Sequence, residues 1–169
     1  MIYFLIGMPG CGKSTLGKEL SKALNMPYID LDEWIESREG ITIPQIFEKF
    51  GQDYFRNRET DALKWMIANH KGALVSTGGG APCFHDNMSL MNDNGTSIFI
   101  NVSLEELFKR LKLGKQNRPL VQGLSDSELF EKIEKMLSDR LPFYSLGTVK
   151  VEGDNLSIED VLKALEMKA

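Results

Sequence analysis

The chain has 169 residues, of which 42% are hydrophobic and 26% charged, with a formal net charge of −4. This length fits one globular domain spanning residues 1–169, and the hydrophobic share excludes a disordered chain. The acidic balance argues against a general nucleic-acid binder, because such proteins need a broad excess of Lys and Arg.

Short apolar runs alternate with helix-length amphipathic stretches along the whole chain. Runs such as Ser97–Ile100 lack a polar and apolar alternation, which is typical of strands covered on both faces. The alternation of strands and helices predicts an α/β fold with a parallel sheet and helices on both faces. The predicted strands are 2–6, 28–30, 73–77, 96–102 and 148–151; the predicted helices are 13–25, 32–38, 43–50, 53–69, 86–93, 104–112, 126–140 and 158–168.

Three of these helices begin with the capping-box pattern, in which a serine precedes an acidic residue by three positions. The pairs are Ser103 with Glu106, Ser125 with Glu128, and Ser157 with Asp160.

The N-terminal run Met1–Met8 is apolar, but no basic residue precedes it and it is far shorter than the roughly 20 residues that span a bilayer. Cys11 and Cys83 are too few for a disulfide framework or a structural zinc site. We therefore expect a cytoplasmic protein without a leader or a membrane span.

The segment Gly7–Ser14 satisfies the phosphate-loop pattern G-x-x-x-x-G-K-[ST] and lies between an apolar strand and an amphipathic helix. Glycines let backbone N–H groups turn toward a polyphosphate, and the helix start adds its positive end. In such loops Lys13 reaches the β- and γ-phosphates while the Ser14 hydroxyl binds Mg²⁺. The loop predicts a nucleoside triphosphate site formed by Gly10, Cys11, Gly12, Lys13, Ser14 and Thr15.

The class of phosphate-loop protein is narrowed by what the sequence lacks. Neither N-K-x-D, which is typical of GTP specificity, nor the switch pattern D-x-x-G occurs. The chain is also too short for a helicase-type motor. A small-molecule kinase remains, and it must hold an acceptor hydroxyl in line with the γ-phosphate.

Two clusters at the carboxyl edge of the predicted sheet are candidates for the acceptor site, because ligands of open α/β sheets bind there. Asp30 and Asp32 follow the second strand, where one can serve Mg²⁺ and the other a substrate hydroxyl. Helix capping is the alternative interpretation. Gly78–Gly80 follows the third strand and exposes backbone N–H groups to a ligand, or forms a plain turn.

Arginines form a third group of candidates. Arg56, Arg58 and Glu59 share one helix, and Arg140 ends another. Arg118 lies in a basic stretch whose composition predicts a mobile connection without a helix. A planar guanidinium suits an anionic acceptor, although each of these arginines could also be an ordinary surface charge.

Together these motifs resemble those of shikimate kinases, collinearly from Met1 to about Val151. They are Gly-x-x-Gly-x-Gly-Lys-Ser-Thr, Asp-x-Asp, Phe55-Arg56 with Glu59, Gly78–Gly80, Arg118-Pro-Leu and Arg140-x-Pro-x-Tyr144. The resemblance implies a P-loop NTPase of the nucleoside-monophosphate-kinase type, with a five-stranded parallel sheet. It further implies a substrate-binding region at about 32–62, a lid loop at about 112–125, and a monomer.

The implied reaction is transfer of the ATP γ-phosphoryl group to the 3-hydroxyl of shikimate in aromatic amino-acid biosynthesis. Arg56 and Arg140 would bind the shikimate carboxylate. Asp32 would hold ring hydroxyls and assist deprotonation, and Gly78–Gly80 would complete the pocket through backbone donors.

On the nucleotide side, Asp30 would support Mg²⁺ together with Ser14, and Arg110 would stack on adenine. The resemblance also implies that Arg118 closes onto the phosphates and joins Lys13 and Asp32 as a catalytic residue. ATP and shikimate are then the expected partners, with neither nucleic acid nor membrane involved.

The chain departs from the common family pattern at two places. Asn57 stands where many members carry a second arginine, so Arg58 is left out of the predicted site. The stretch 152–155, at the expected adenine loop, is acidic, so backbone atoms are expected to make that contact. The alternatives are a gluconate or nucleoside monophosphate kinase and a non-catalytic ATP-binding module.

Overall fold

The computed structural model describes residues 1–114 and 122–167. Within these residues the strands are β1 (Ile2–Ile6), β2 (Tyr28–Asp30), β3 (Ala73–Ser76), β4 (Gly95–Asn101) and β5 (Val149–Glu152). They form one sheet in the order β2-β3-β1-β4-β5, and every neighbouring pair is parallel. The predicted parallel sheet is therefore confirmed.

Seven helices connect and flank these strands within the described residues. They are α1 (Lys13–Ala23), α2 (Leu31–Glu39), α3 (Ile43–Asn69), α4 (Asn87–Asn94), α5 (Leu104–Leu113), α6 (Asp126–Tyr144) and α7 (Ile158–Glu166), with a short 3₁₀ helix at Ala81–Cys83. In these ranges, none of the helices has the length and apolar character needed to cross a membrane.

The central strand β1 is covered on both faces of the sheet. Phe4, Leu5 and Ile6 are all fully buried although successive side chains of a strand point to opposite faces. On one side, Leu5 packs near Gly17 of α1. The apolar runs without alternation are thus the consequence of a sheet between two helical layers.

Helix α3 joins two stretches that the sequence predicts as separate helices, 43–50 and 53–69. Gly51 has φ 81° and ψ 176°, a conformation outside the helical region that residues with a Cβ rarely adopt. The first part of α3 then places Phe47 on the cavity described below, while the second part carries Phe55 and Arg56 into the same cavity.

Helix α6 continues four residues beyond its predicted end at Arg140, despite Pro142 in its last turn. The extension has a tertiary cause at Tyr144. This side chain is fully buried, and its hydroxyl donates a hydrogen bond to the Gly79 carbonyl at 2.6 Å. Packing and this bond offset the backbone hydrogen bond that proline removes.

Two of the three predicted capping boxes form, at Ser125 and at Ser157. At the third, the Ser103 hydroxyl accepts from the Glu106 backbone N–H at 3.2 Å, as expected. The reciprocal half was predicted wrongly, because the Ser103 N–H donates to Asp154 Oδ1 at 2.9 Å. Glu106 instead bonds Arg110.

Candidate active site

A cavity of about 1100 Å³ opens at the carboxyl ends of β1, β2 and β3. It is the place where ligands of open α/β sheets bind. Among the described residues, the predicted site residues that line it are Gly10, Gly12, Lys13, Ser14, Thr15, Asp30, Asp32, Arg56, Gly78, Gly79, Gly80, Arg110 and Arg140. Arg118 lies outside the described residues.

The phosphate loop has the backbone that its glycines allow. Gly7 has φ 145°, and a Cβ there would stand 2.7 Å from the Ile100 carbonyl oxygen. Gly12 has φ 97° and caps α1. The first turn of α1 contains no acidic residue, so the positive end of the helix faces the loop uncompensated.

Lys13 lies back along this loop in a nearly buried position. Its Nζ donates to the carbonyl oxygens of Gly7 at 2.8 Å and Met8 at 3.0 Å. The loop therefore holds a positive charge at the rim of the predicted phosphate site.

Cys11 of the same loop is a buried, free cysteine, and its Sγ lies 3.6 Å from the Lys13 ammonium nitrogen. Its side chain does not line the cavity.

Asp30 caps helix α2. Its Oδ1 accepts from the backbone N–H groups of Asp32 at 3.0 Å and Glu33 at 3.2 Å. The capping alternative is thus confirmed for Asp30. The cap uses Oδ1 alone, and Asp30 lines the cavity together with the exposed Ser14.

Asp32, one turn into α2, has a different environment from Asp30. Burial raises the pKa of Asp32 to about 6, an effect that the Asp30 carboxylate reinforces and the Lys13 ammonium opposes. Its Oδ1 is buried and accepts no hydrogen bond from any described residue. A carboxylate oxygen in this state is a ready acceptor for a ligand hydroxyl.

Glu59 lines the cavity, although the sequence analysis named it only as part of a motif and not as a site residue. It is 1% exposed, and its Oε2 lies 2.6 Å from Nη1 of Arg56. Burial raises the pKa of Glu59 to about 7, although the Arg56 guanidinium opposes that shift. The spacing of three residues on one helix was the available signal, but only the fold shows that the pair is buried.

The glycine run after β3 allows two arginines from different helices to lie against the backbone. A Cβ on Gly80 would stand 2.7 Å from both Nη atoms of Arg56, and one on Gly79 would stand 2.8 Å from Arg140 Nη1. Two guanidinium groups and an exposed backbone suit bidentate binding of an anion such as a carboxylate. Arg58 instead pairs with Asp61 at 2.7 Å and does not line the cavity.

Mostly apolar and hydroxyl side chains complete the wall. Besides Glu59, the lining residues that the sequence did not identify as site residues are Pro9, Ile43, Pro44, Phe47, Phe55, Ser76, Thr77 and Lys132.

These features define a class of protein. A phosphate loop between a central strand and a helix binds the triphosphate of a nucleotide, and a buried carboxylate stands beside it. The two arginines that lie against the glycine run, Arg56 and Arg140, suit a small anionic acceptor. The fold and the site are those of a P-loop kinase that acts on small molecules.

Comparison with known proteins identifies the family. The family model for shikimate kinase matches residues 9–168. A shikimate kinase of Parabacteroides distasonis is 42% identical over 166 residues, which cover 96% of this chain and 95% of that protein. The chain belongs to the shikimate kinase family.

Solved structures agree with this assignment. The crystal structure of shikimate kinase from Bacteroides thetaiotaomicron has a TM-score of 0.92 and 41% identity, covering 99% of this chain and 97% of that one. Shikimate kinase from Acinetobacter baumannii in complex with shikimate has a TM-score of 0.82 and 30% identity, covering 98% and 89%. The predicted family and fold class are therefore confirmed.

Proposed function

We propose that this chain transfers the γ-phosphoryl group of ATP to the 3-hydroxyl of shikimate, as a step in aromatic amino-acid biosynthesis. ATP-dependent phosphorylation of shikimate is the activity of its family. The observation that carries the proposal is the position of Asp32. Its unsatisfied carboxylate lies in one cavity with the phosphate loop and with Arg56 and Arg140.

On the acceptor side, Arg56 and Arg140 bind the shikimate carboxylate, and backbone N–H groups of Gly78–Gly80 contribute further donors. Asp32 accepts the proton of the attacking hydroxyl. With a pKa near 6 it is largely ionised at neutral pH yet basic enough to take that proton.

On the nucleotide side, the backbone from Gly10 to Thr15 binds the phosphates and Lys13 neutralises their charge. Arg118, which lies outside the described residues, is proposed to contact the transferred group. The hydroxyl oxygen attacks the γ-phosphorus while the bond to the β–γ bridging oxygen breaks, and ADP leaves. Catalysis is positioning and charge stabilisation, without a covalent intermediate.

The donor set at the loop fits Mg²⁺. The exposed Ser14 hydroxyl and the Asp30 Oδ2, which the helix cap leaves unused, are hard oxygen donors on the same cavity. Among the described residues, no cluster of three or more His, Cys, Asp or Glu side chains could hold a metal. A site with only one or two protein ligands is suitable for Mg²⁺, because this ion keeps several waters and binds phosphate oxygens. When bound, Mg²⁺ would neutralise charge on the phosphates.

We also propose that the single domain contains two functional regions, a substrate-binding region and a lid. Residues of about 32–62 form the substrate-binding region, which includes Asp32, Arg56 and the first part of α3. A lid at about 112–125 would close over the nucleotide, and residues 115–121 of that range lie outside the described residues. The protein is further proposed to work as a cytoplasmic monomer without nucleic-acid or membrane partners, consistent with its net charge of −4. Light scattering at working concentration tests the monomer.

The test is ADP release from ATP and Mg²⁺ with shikimate, gluconate or AMP as acceptor. We expect turnover with shikimate alone and its loss in Asp32→Asn. Glu33→Gln, which changes the exposed neighbouring carboxylate, is the control and keeps activity. Turnover with gluconate or AMP instead would reject the acceptor assignment. Absence of turnover with intact ATP binding would favour the non-catalytic module.

A further inference from the structure

The guanidinium of Arg110 is committed to protein oxygens on all three of its nitrogens. Its Nε donates to Glu106 Oε1 at 2.8 Å, and Nη1 donates to the Gly10 carbonyl at 3.4 Å. Nη2 donates to the Asp154 carbonyl. One side chain thus links helix α5, the phosphate loop and the loop after β5.

These bonds decide which part of Arg110 a nucleotide can use. Hydrogen bonds to a guanidinium lie in its plane, so the three protein acceptors occupy much of its edge. Three of its five N–H donors are thus used, and the flat face stays open to a ligand; such a face stacks on aromatic rings. Arg110 lines the cavity beside Gly12 of the phosphate loop, at the nucleotide end. Its geometry therefore favours contact with a base over contact with a phosphate.

Glu106 is available to bind Arg110 because a different residue accepts the hydrogen bond from the backbone N–H at the start of α5. The Asp154 carboxylate accepts from both the Ser103 N–H and the Ser103 hydroxyl, each at 2.9 Å. In the complete capping boxes of α6 and α7 the acidic residue at the position of Glu106 makes that bond itself. The exchange turns the Glu106 side chain, 20% exposed, toward Arg110.

We propose that Glu106 and Asp154 are positioning residues, which fix Arg110 as a flat platform for the purine base of the nucleotide. They determine how much the base adds to the affinity that the triphosphate already provides. This inference rests on the nucleotide site of the proposed function, and it adds two acidic residues to that site.

The experiment compares binding of ATP with binding of inorganic triphosphate, which has no base, by calorimetry in the presence of Mg²⁺. For Glu106→Ala we expect ATP affinity to fall about tenfold, the effect of losing one charged hydrogen bond, and triphosphate affinity to stay within about twofold. Glu106→Gln keeps an oxygen acceptor for Nε and restores most of the ATP affinity. Glu105→Ala, on the exposed face of the same turn, is the matched control.

Asp154→Ala tests the second positioning residue against Asp160→Ala, which removes the equivalent cap acid of α7. Both variants lose helix-cap stability, but we expect only Asp154→Ala to weaken ATP relative to triphosphate. Equal weakening of ATP and triphosphate in the Glu106 or Asp154 variants would overturn the proposal, since it would indicate a disturbed phosphate loop. Unchanged ATP affinity would overturn it as well.

Turnover separates this inference from the proposed function. In turnover assays we expect Glu106→Ala to raise the KM for ATP about tenfold, whereas the control Glu105→Ala keeps the wild-type kcat and KM. If the wild-type protein failed to phosphorylate shikimate, the proposed function would fall, while the ATP and triphosphate affinities would still decide the role of Glu106.

Discussion

Replacing Gly80 by alanine should disable the substrate site without unfolding the protein. Gly80 has φ −87° and ψ −20°, a conformation that alanine adopts without strain. The added Cβ would stand 2.7 Å from Nη1 and Nη2 of Arg56 and 2.9 Å from its Cζ. Because these atoms end a flexible side chain, Arg56 rather than the backbone must move.

The size of the effect follows from the bonds that Arg56 would lose. Ordinary contact begins near 3.4 Å, so the guanidinium must retreat by several tenths of an ångström from the glycine run. Loss of one charge-assisted hydrogen bond to the substrate carboxylate costs roughly 1.5–3 kcal/mol, which corresponds to roughly a 10- to 150-fold higher KM for shikimate. The retreat also loosens the 2.6 Å pair with Glu59. The pKa of Glu59 should then rise further, because the Arg56 guanidinium opposes the increase that burial causes.

The assay is steady-state ADP release with shikimate and ATP varied separately. We expect the KM for shikimate to rise and the KM for ATP to stay within about twofold, since Gly80 lies against Arg56 and not the phosphate loop. Gly72→Ala is the control, because a Cβ there meets nothing closer than 3.6 Å. A normal KM for shikimate in a folded Gly80→Ala protein would refute the reasoning that the missing Cβ makes room for Arg56.

The charged residues of the site lead to four further expectations. Because the pKa of Asp32 is about 6, kcat/KM for shikimate should fall as the pH is lowered through about 6; a profile flat to pH 5 would argue against Asp32 as the base. The raised pKa also means that Asp32 lowers stability as pH rises from about 4 to about 6. Asp32→Asn should therefore raise the free energy of unfolding at pH 8 by up to about 3 kcal/mol relative to wild type, and should leave it unchanged at pH 4. Arg140→Ala should raise the shikimate Kd roughly 10- to 150-fold by calorimetry, and normal binding would reject its carboxylate contact. Arg118→Ala should lower kcat roughly 10³-fold with a smaller effect on shikimate binding, and an unchanged kcat would remove Arg118 from the chemistry.

Local chemistry explains why the phosphate loop was predictable. Its glycines, Lys13 and Ser14 are consecutive or nearly so, and the positive φ of Gly12 and the start of α1 follow from those few residues. The central strand β1 and its neighbour β3 were predictable for a similar reason, since strands covered on both faces are mostly apolar without alternation. In these features, residues that are close in the sequence are also close in space, so the sequence is enough to predict them.

The neighbouring carboxylates at the end of β2 show where sequence reasoning stops. Asp30 and Asp32 have the same chemical groups two positions apart, and either could have capped the helix or met a substrate. Because α2 begins directly after β2, Asp30 is the residue that caps the helix. Asp32 packs beside Gly78, where it is buried and its pKa is raised. Burial and its electrostatic cost depend on what surrounds a residue.

The family, the parallel sheet, the phosphate loop and most of the residues that line the cavity follow from the order of the amino acids. The burial of the Arg56–Glu59 pair and the identity of the residue that caps α5 depend on the folded chain. Glu59 and Arg56 form a buried pair because of the way α3 packs in the fold. At the start of α5, the Ser103 N–H donates to Asp154, which lies 51 positions away in the sequence, and not to Glu106. A spacing of three residues shows only that such a pair is possible, because a side chain bonds the nearest suitable partner in space, and the folded chain decides which partner is nearest.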